Sequence, residues 1–153
     1  MAVLCQPTTK LKQLTENGTY YEYTKAADPI GAGTISRIPL VEFGSELHEA
    51  GGTRIIPLDI SGRLDCEGPA TSPALCANFV RILAGDTLSP SFNATSQLFY
   101  VMRGRGRTEF EGATIPWATG DFVALPAGQA AYHYAVTDTA LYLIHDEPLL
   151  QYL

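Results

Sequence analysis

The stretch Gly85–Gly104, "GDTLSPSFNATSQLFYVMRG", decides the fold. Glycines bound it at both ends. From Gln97 onward it reads as a β-strand, with Gln97, Phe99 and Val101 on one face and Tyr100 and Met102 on the other. Ser91 and Asn93 share the parity of Gln97. The spacing is regular: five residues after Gly85 comes Ser91-Phe92-Asn93, after three more Gln97, and after six more Gly104. A second spaced run follows, with Gly120, five residues, Pro126-Ala127-Gly128, two residues and then Ala131.

The chain around this stretch is poor in helix signals. Its 14 glycines and 10 prolines break it at short intervals, and β-branched and aromatic residues fill the gaps. The pattern predicts strands at 18–24, 34–43, 53–61, 75–84, 97–104, 106–112, 121–126, 130–136 and 139–146. It predicts one helical turn at 45–51 and a short helix or packed tail at 147–153. Strands this short and evenly spaced indicate an all-β barrel or sandwich. The 153 residues are read as one domain: an N-terminal arm with strands of its own at 1–60, a barrel at 75–146 and a tail at 147–153. The arm carries Ile38, Leu40, Val41, Ile55 and Ile56, so it must cap the barrel or reach a partner subunit.

Composition excludes several classes. Hydrophobic residues make up 46% and charged residues 17%, which rules out a disordered chain. A net charge of −6 argues against nucleic-acid binding, which needs clustered Lys and Arg. The cluster Arg103, Arg105 and Arg107 is read as a hairpin surface, with Gly104–Gly106 as its turn. No apolar run reaches the ~20 residues of a membrane span. The N-terminal residues lack the basic and apolar regions of a secretory signal. Cys5, Cys66 and Cys76 form no metal-binding spacing, and an odd cysteine count points to reduced thiols. The expectation is a cytoplasmic protein that binds neither nucleic acid nor membrane.

The two spaced runs resemble the paired motifs of the cupin superfamily, a group of jelly-roll β-barrels. In those motifs the positions of Ser91, Asn93, Gln97 and Ala131 are held by His, His, Glu and His. The segments "QLFYVMRGRGRTEFEGATIPWATGDFVALPAG" and "ALYLIHDEPLLQYL" resemble cupin domains of the gentisate-dioxygenase type more closely, over about residues 75–150. The resemblance implies a cupin barrel with an inward site. In the family that site holds a metal. Neutral imidazole suits iron, manganese, nickel or zinc. Serine and alanine do not replace it, and the Asn93 and Gln97 carbonyls are weak neutral ligands. The expectation is therefore no transition metal, no cofactor and no catalytic residue.

Ser91, Asn93, Gln97, Phe99, Ala131 and His133 then line the inner face as candidates for a small polar ligand. Arg81 joins them if it faces inward and supplies a charge; its parity with Phe79 and Leu83 also allows it to point out. His133 is read as a core histidine hydrogen-bonded to Gln97 or Asn93, with a lone ligand or acid–base role as the alternative. His48 is read as a solvated loop residue. His145 and Asp146 are read as pairing or capping the exit turn, and Trp117 as capping the barrel from a turn. Tyr100, Met102, Tyr132 and Tyr134 face outward and mark a homodimer surface. The leading function is a metal-free, non-catalytic module for ligand binding or oligomerisation. The alternatives are a dioxygenase-like enzyme with an atypical metal site, or the ligand-free half of a two-cupin enzyme.

Overall fold

The computed structural model describes residues 22–33, 35 and 37–153. The chain divides into two compact units, 1–37 and 38–153. In the first, helix α1 spans Tyr23–Ala27 and a turn follows in which Asp28 accepts the Gly31 amide at 2.9 Å. The strand expected at 18–24 lies partly outside the described residues, and its last two positions are helical. Lys and Ala favour a helix there, and Pro29 ends it.

The second unit begins irregularly. Residues 37–43 form no strand, and Pro39 removes a ladder donor from that run. Ile38 and Leu40 are exposed. Helix α2, Glu46–Glu49, is the anticipated turn. Strand β1 spans Arg54–Pro57 and helix α3 spans Ser61–Leu64, so the expected strand at 53–61 ends early. Among the described residues of the N-terminal arm, β1 is thus the one strand.

Eight strands follow: β2 Cys76–Ile82, β3 Thr87–Leu88, β4 Ser96–Arg103, β5 Arg105–Phe110, β6 Ala113–Ala118, β7 Phe122–Pro126, β8 Tyr132–Ala135 and β9 Thr139–His145. Helix α4, Glu147–Tyr152, ends the chain. The strands make two antiparallel sheets, ordered β1-β2-β9-β4-β7 and β3-β8-β5-β6. The jelly-roll barrel of a cupin is this arrangement. Strand β6 escaped the sequence reading because Pro116 interrupts it. It lies at a sheet edge, where a missing amide is tolerated.

Two turns shape the barrel. Gly104 does not sit in a hairpin. It is the single residue between β4 in one sheet and β5 in the other, at φ 102°. Its amide donates to Thr119 Oγ1 at 3.0 Å. A Cβ here would come within 2.9 Å of the Thr139 Cα. The true hairpin is β5–β6. Its two-residue loop, Glu111-Gly112, has φ 49° and 80°, the left-handed pair of a type I′ turn.

The core lies between the sheets, built from Val80, Ile82, Phe99, Val101, Leu141 and Leu143 with Trp117. Trp117 is not a turn residue. It sits buried in β6. Tyr100 and Met102 lie on the outer face of the five-stranded sheet, Tyr132 and Tyr134 on that of the other. One surface therefore does not hold all four.

Gly104→Ala is expected to lower stability by about 2–4 kcal/mol, combining left-handed strain with a backbone clash. Gly112→Ala, with open space around it, costs about 1 kcal/mol from strain alone. Urea unfolding at unchanged m-value reads the difference. Equal midpoints for the two variants would contradict the corner assigned to Gly104.

Candidate functional site

The loop before β4 and the loop between β7 and β8 face each other across the barrel mouth. The Ala127 amide donates to the Thr95 carbonyl at 2.8 Å and ties the two together. Between them lies a cavity of about 300 Å³ whose lining includes Ser91, Phe92, Asn93, Gln97, Gln129 and Ala131. All four substituted motif positions thus converge on one pocket.

The pocket wall is pinned from below by the start of α4. Asp146 accepts the Thr95 amide at 2.8 Å, the Thr95 hydroxyl and the Ser96 amide at 3.3 Å. The Thr95 hydroxyl bond, more than any other contact, lowers the Asp146 pKa. Glu147 Oε1 accepts the Asn93 backbone amide at 2.9 Å. Both carboxylates near the mouth are engaged in holding backbone. Asp146 is therefore a capping residue, as one of the two sequence readings had it.

Phe99 and His133, also expected at the site, are not part of the cavity lining; both are buried, with ring centroids 4.4 Å apart. His133 does not bond to Gln97 or Asn93. Its Nδ1 pairs with Thr108 Oγ1 at 2.8 Å, and the Trp117 indole donates to the same oxygen at 2.9 Å. The indole is a donor only, so His133 Nδ1 is the one acceptor among the described contacts of the Thr108 hydroxyl, and a bond in that direction leaves the ring proton on Nε2. Burial lowers the His133 pKa to about 4, so the ring is neutral near pH 7.

Arg81 is absent from the pocket. Its guanidinium donates to the carbonyls of Gly51 at 2.8 Å and His48 at 3.0 Å, and pairs with Asp138 at 3.5 Å. Even-numbered residues of β2 face the core, so odd-numbered Arg81 turns to the outer face. His48 is not a solvated loop residue either. It is half-buried, and its ring meets Phe79 edge-on at 4.7 Å.

The residue missed by the sequence reading is His145. It is 2% exposed and faces inward beside Gln97, its cross-strand partner. Its Nδ1 accepts the Glu147 amide at 3.3 Å, which again leaves the proton on Nε2. Burial lowers its pKa, against the opposing charges of Glu147 and Asp146. Its ring stacks on Phe92 at 3.9 Å. The signal was available: the alternation that turns Leu141 and Leu143 inward turns His145 inward as well.

A larger cavity of about 660 Å³ lies outside the barrel, between the α3 loop and α4. It is lined by Leu64, Cys66, Pro73, Pro148 and Tyr152 among others, and by none of the motif positions. Cys66 and Cys76 are free thiols. Burial, more than the Asp59 charge, raises the Cys76 thiol to about 11.

No protein-family model and no curated protein matches the chain. Solved structures do. Salicylate 1,2-dioxygenase from Pseudoaminobacter salicylatoxidans, crystallised as adducts with gentisate, superposes with a TM-score of 0.58 and 24% identity over 68% of this chain and 27% of that chain. A second structure of that enzyme gives 0.58 and 24% over 69% and 29%. The chain therefore spans under a third of the length of the enzymes it matches. The likeness establishes the fold: a cupin jelly roll like a barrel of this salicylate 1,2-dioxygenase.

Metals held in such barrels need imidazole and carboxylate donors. The residues here do not fit one. The pocket offers the hydroxyls of Ser89 and Ser91, the side-chain amides of Asn93, Gln97 and Gln129 and, at Ala131, no ligating group. Among the described residues, no group of three or more His, Cys, Asp or Glu side chains is placed to hold an ion.

The His133 environment sets a pH dependence. The unfolded chain takes up a proton near pH 6.5, the folded chain only near pH 4. Stability is therefore full above pH 6.5 and falls as pH drops toward 4. Between pH 7 and pH 5 the loss from this residue is about 2 kcal/mol. Urea titrations at the two pH values should show it, with a smaller difference in His133→Gln. An unchanged difference in that variant would contradict the assignment.

Proposed function

We propose that this chain is a metal-free cupin barrel that binds a small, uncharged polar molecule in its mouth pocket and carries no catalytic residue of its own. The carrying observation is the convergence of Ser91, Asn93, Gln97 and Ala131 on one cavity with no charge among them. A few convergent polar groups in a concave site are what a small-ligand pocket requires. The nearby carboxylates are bonded to backbone, and Arg81 is turned to the outer sheet face. An anionic ligand would find no cation among the lining residues.

A second reading is that the barrel serves as the ligand-free half of a larger enzyme. It is supported by the matched dioxygenases being far longer than this chain. The genomic reading frame on either side of the sequence tests it. A neighbouring cupin segment with His at the motif positions would favour it.

The pocket reading is tested by a thermal-shift screen of small neutral molecules against matched carboxylic acids. Ligand at a hundredfold excess over Kd stabilises the native state by about 2.7 kcal/mol. Neutral hits are expected to raise Tm, and Ser91→Trp, which fills the mouth, is expected to abolish the shift. Salicylate and gentisate are expected to give none. Selective stabilisation by those acids would contradict the proposal.

A further inference from the structure

The larger cavity, about 660 Å³ between the α3 loop and α4, shares no lining residue with the mouth pocket. Its size falls in the range of small-molecule sites, about 300–1,000 Å³. Both walls are anchored by bonds made outside it. On the loop side Asp59 accepts the amides of Ser61 at 2.9 Å and Ala70 at 3.0 Å. The Thr71 hydroxyl donates to the Leu58 carbonyl at 2.7 Å and accepts the Ala77 amide at 2.9 Å, which ties the loop to β2. On the other side Pro148 is buried, and Asp146 fastens the start of α4 to the start of β4. The walls approach at Gly68, where an added Cβ would stand 3.4 Å from Gln151 Oε1. The cavity is thus built without a ligand, and filling it costs little further ordering.

The lining divides by chemistry. Leu64, Pro73, Ala74, Pro148, Leu149 and Tyr152 present apolar or aromatic surface. Asp65 and Glu67 are the charged residues of the lining, and no Lys, Arg or His joins them. Both are exposed, and neither carboxylate makes a hydrogen bond or ion pair among the described residues. They differ in this from Asp146 and Glu147, which hold backbone amides. An anion in the cavity would meet like charge. A neutral apolar molecule would strip water from the carboxylates and return no counter-ion. A cation with an apolar body satisfies both parts of the lining, and Tyr152 adds an aromatic ring, whose face attracts positive charge.

We propose that this cavity is a second ligand site, and that it takes an amphiphilic monocation: a protonated amine on a small aromatic or aliphatic body. Asp65 and Glu67 receive the ammonium, and the apolar side chains of α3, α4 and the loop receive the body. The site is independent of the mouth pocket, whose uncharged lining suits different chemistry.

The test is amide NMR on ¹⁵N-labelled protein titrated with 2-phenylethylammonium. Salt at about 0.15 M screens the general attraction of an acidic chain for cations. 2-Phenylethanol and 3-phenylpropionate keep the aromatic body and change the charge. Ethylammonium keeps the charge and loses the body. The aromatic amine is expected to saturate and to move the amides of Leu64, Ala74 and Leu149. The alcohol is expected to bind about threefold more weakly or worse, and the acid and ethylammonium more weakly still. Asp65→Asn combined with Glu67→Gln should weaken the amine about threefold to tenfold, to the level of the alcohol. Ala74→Trp, verified as folded by its amide spectrum, should abolish binding, and Ser91→Trp should leave it unchanged. Should Ala74→Trp not fold, the four probes on the parent protein decide. The inference is overturned if the alcohol or the acid binds as well as the amine, if ethylammonium reproduces its shifts, or if the shifts never saturate. Shifts centred on Ser91, Asn93 and Gln97 would place the amine in the mouth pocket and overturn it as well.

Discussion

The two sheets close on each other where the Phe99 ring meets His133, 4.4 Å between centroids. Much of the interior follows from that contact. A histidine in this position is neutral, because burial disfavours its charged form. One of its nitrogens is satisfied by Thr108, which Trp117 holds in turn. The polar chain thus runs from an edge strand into the core and fixes one imidazole. The other nitrogen is buried without a partner among the described residues.

The scaffold and the pocket are separable in physical terms. Gly85, Gly104 and Gly120 all have φ in the left-handed region, at 86°, 102° and 97°. Their work is done by the backbone, at bends where a side chain would be strained. Pro126 closes β7. None of this depends on which side chains stand at positions 91, 93, 97 and 131. A barrel can therefore keep the spacing of its motifs while its ligand positions become serine, amides and alanine. The shared fold with a salicylate dioxygenase follows from the first set of residues, the uncharged pocket from the second.

The sequence disclosed the strands whose alternation is uninterrupted. Motif spacing also pointed to Ser91, Asn93, Gln97 and Ala131, which line one cavity, but Ser91 and Asn93 lie in an exposed loop where strand parity has no hold, and Phe99 and His133 are buried outside that lining. The sequence reading failed where tertiary context overrides local signals. Pro116 looked like a break and lies on an edge strand. Gly104 looked like a hairpin and is a corner between sheets, a distinction that depends on which strands pair. Arg81 was ambiguous because local parity does not say which face of β2 is inner. His145 was read only as part of the exit turn because it ends a strand beside acidic residues, although its register with Gln97 turns it inward, behind Phe92 of the pocket wall.

The measurement that bears most directly on this account is the metal content of the purified protein by mass spectrometry, after expression with added iron, manganese, nickel and zinc. The donor set at the pocket predicts far less than one ion per chain, with no change on His133→Ala or His145→Ala. About one ion per chain, lost in either variant, would contradict it and show that the inward histidines are ligands.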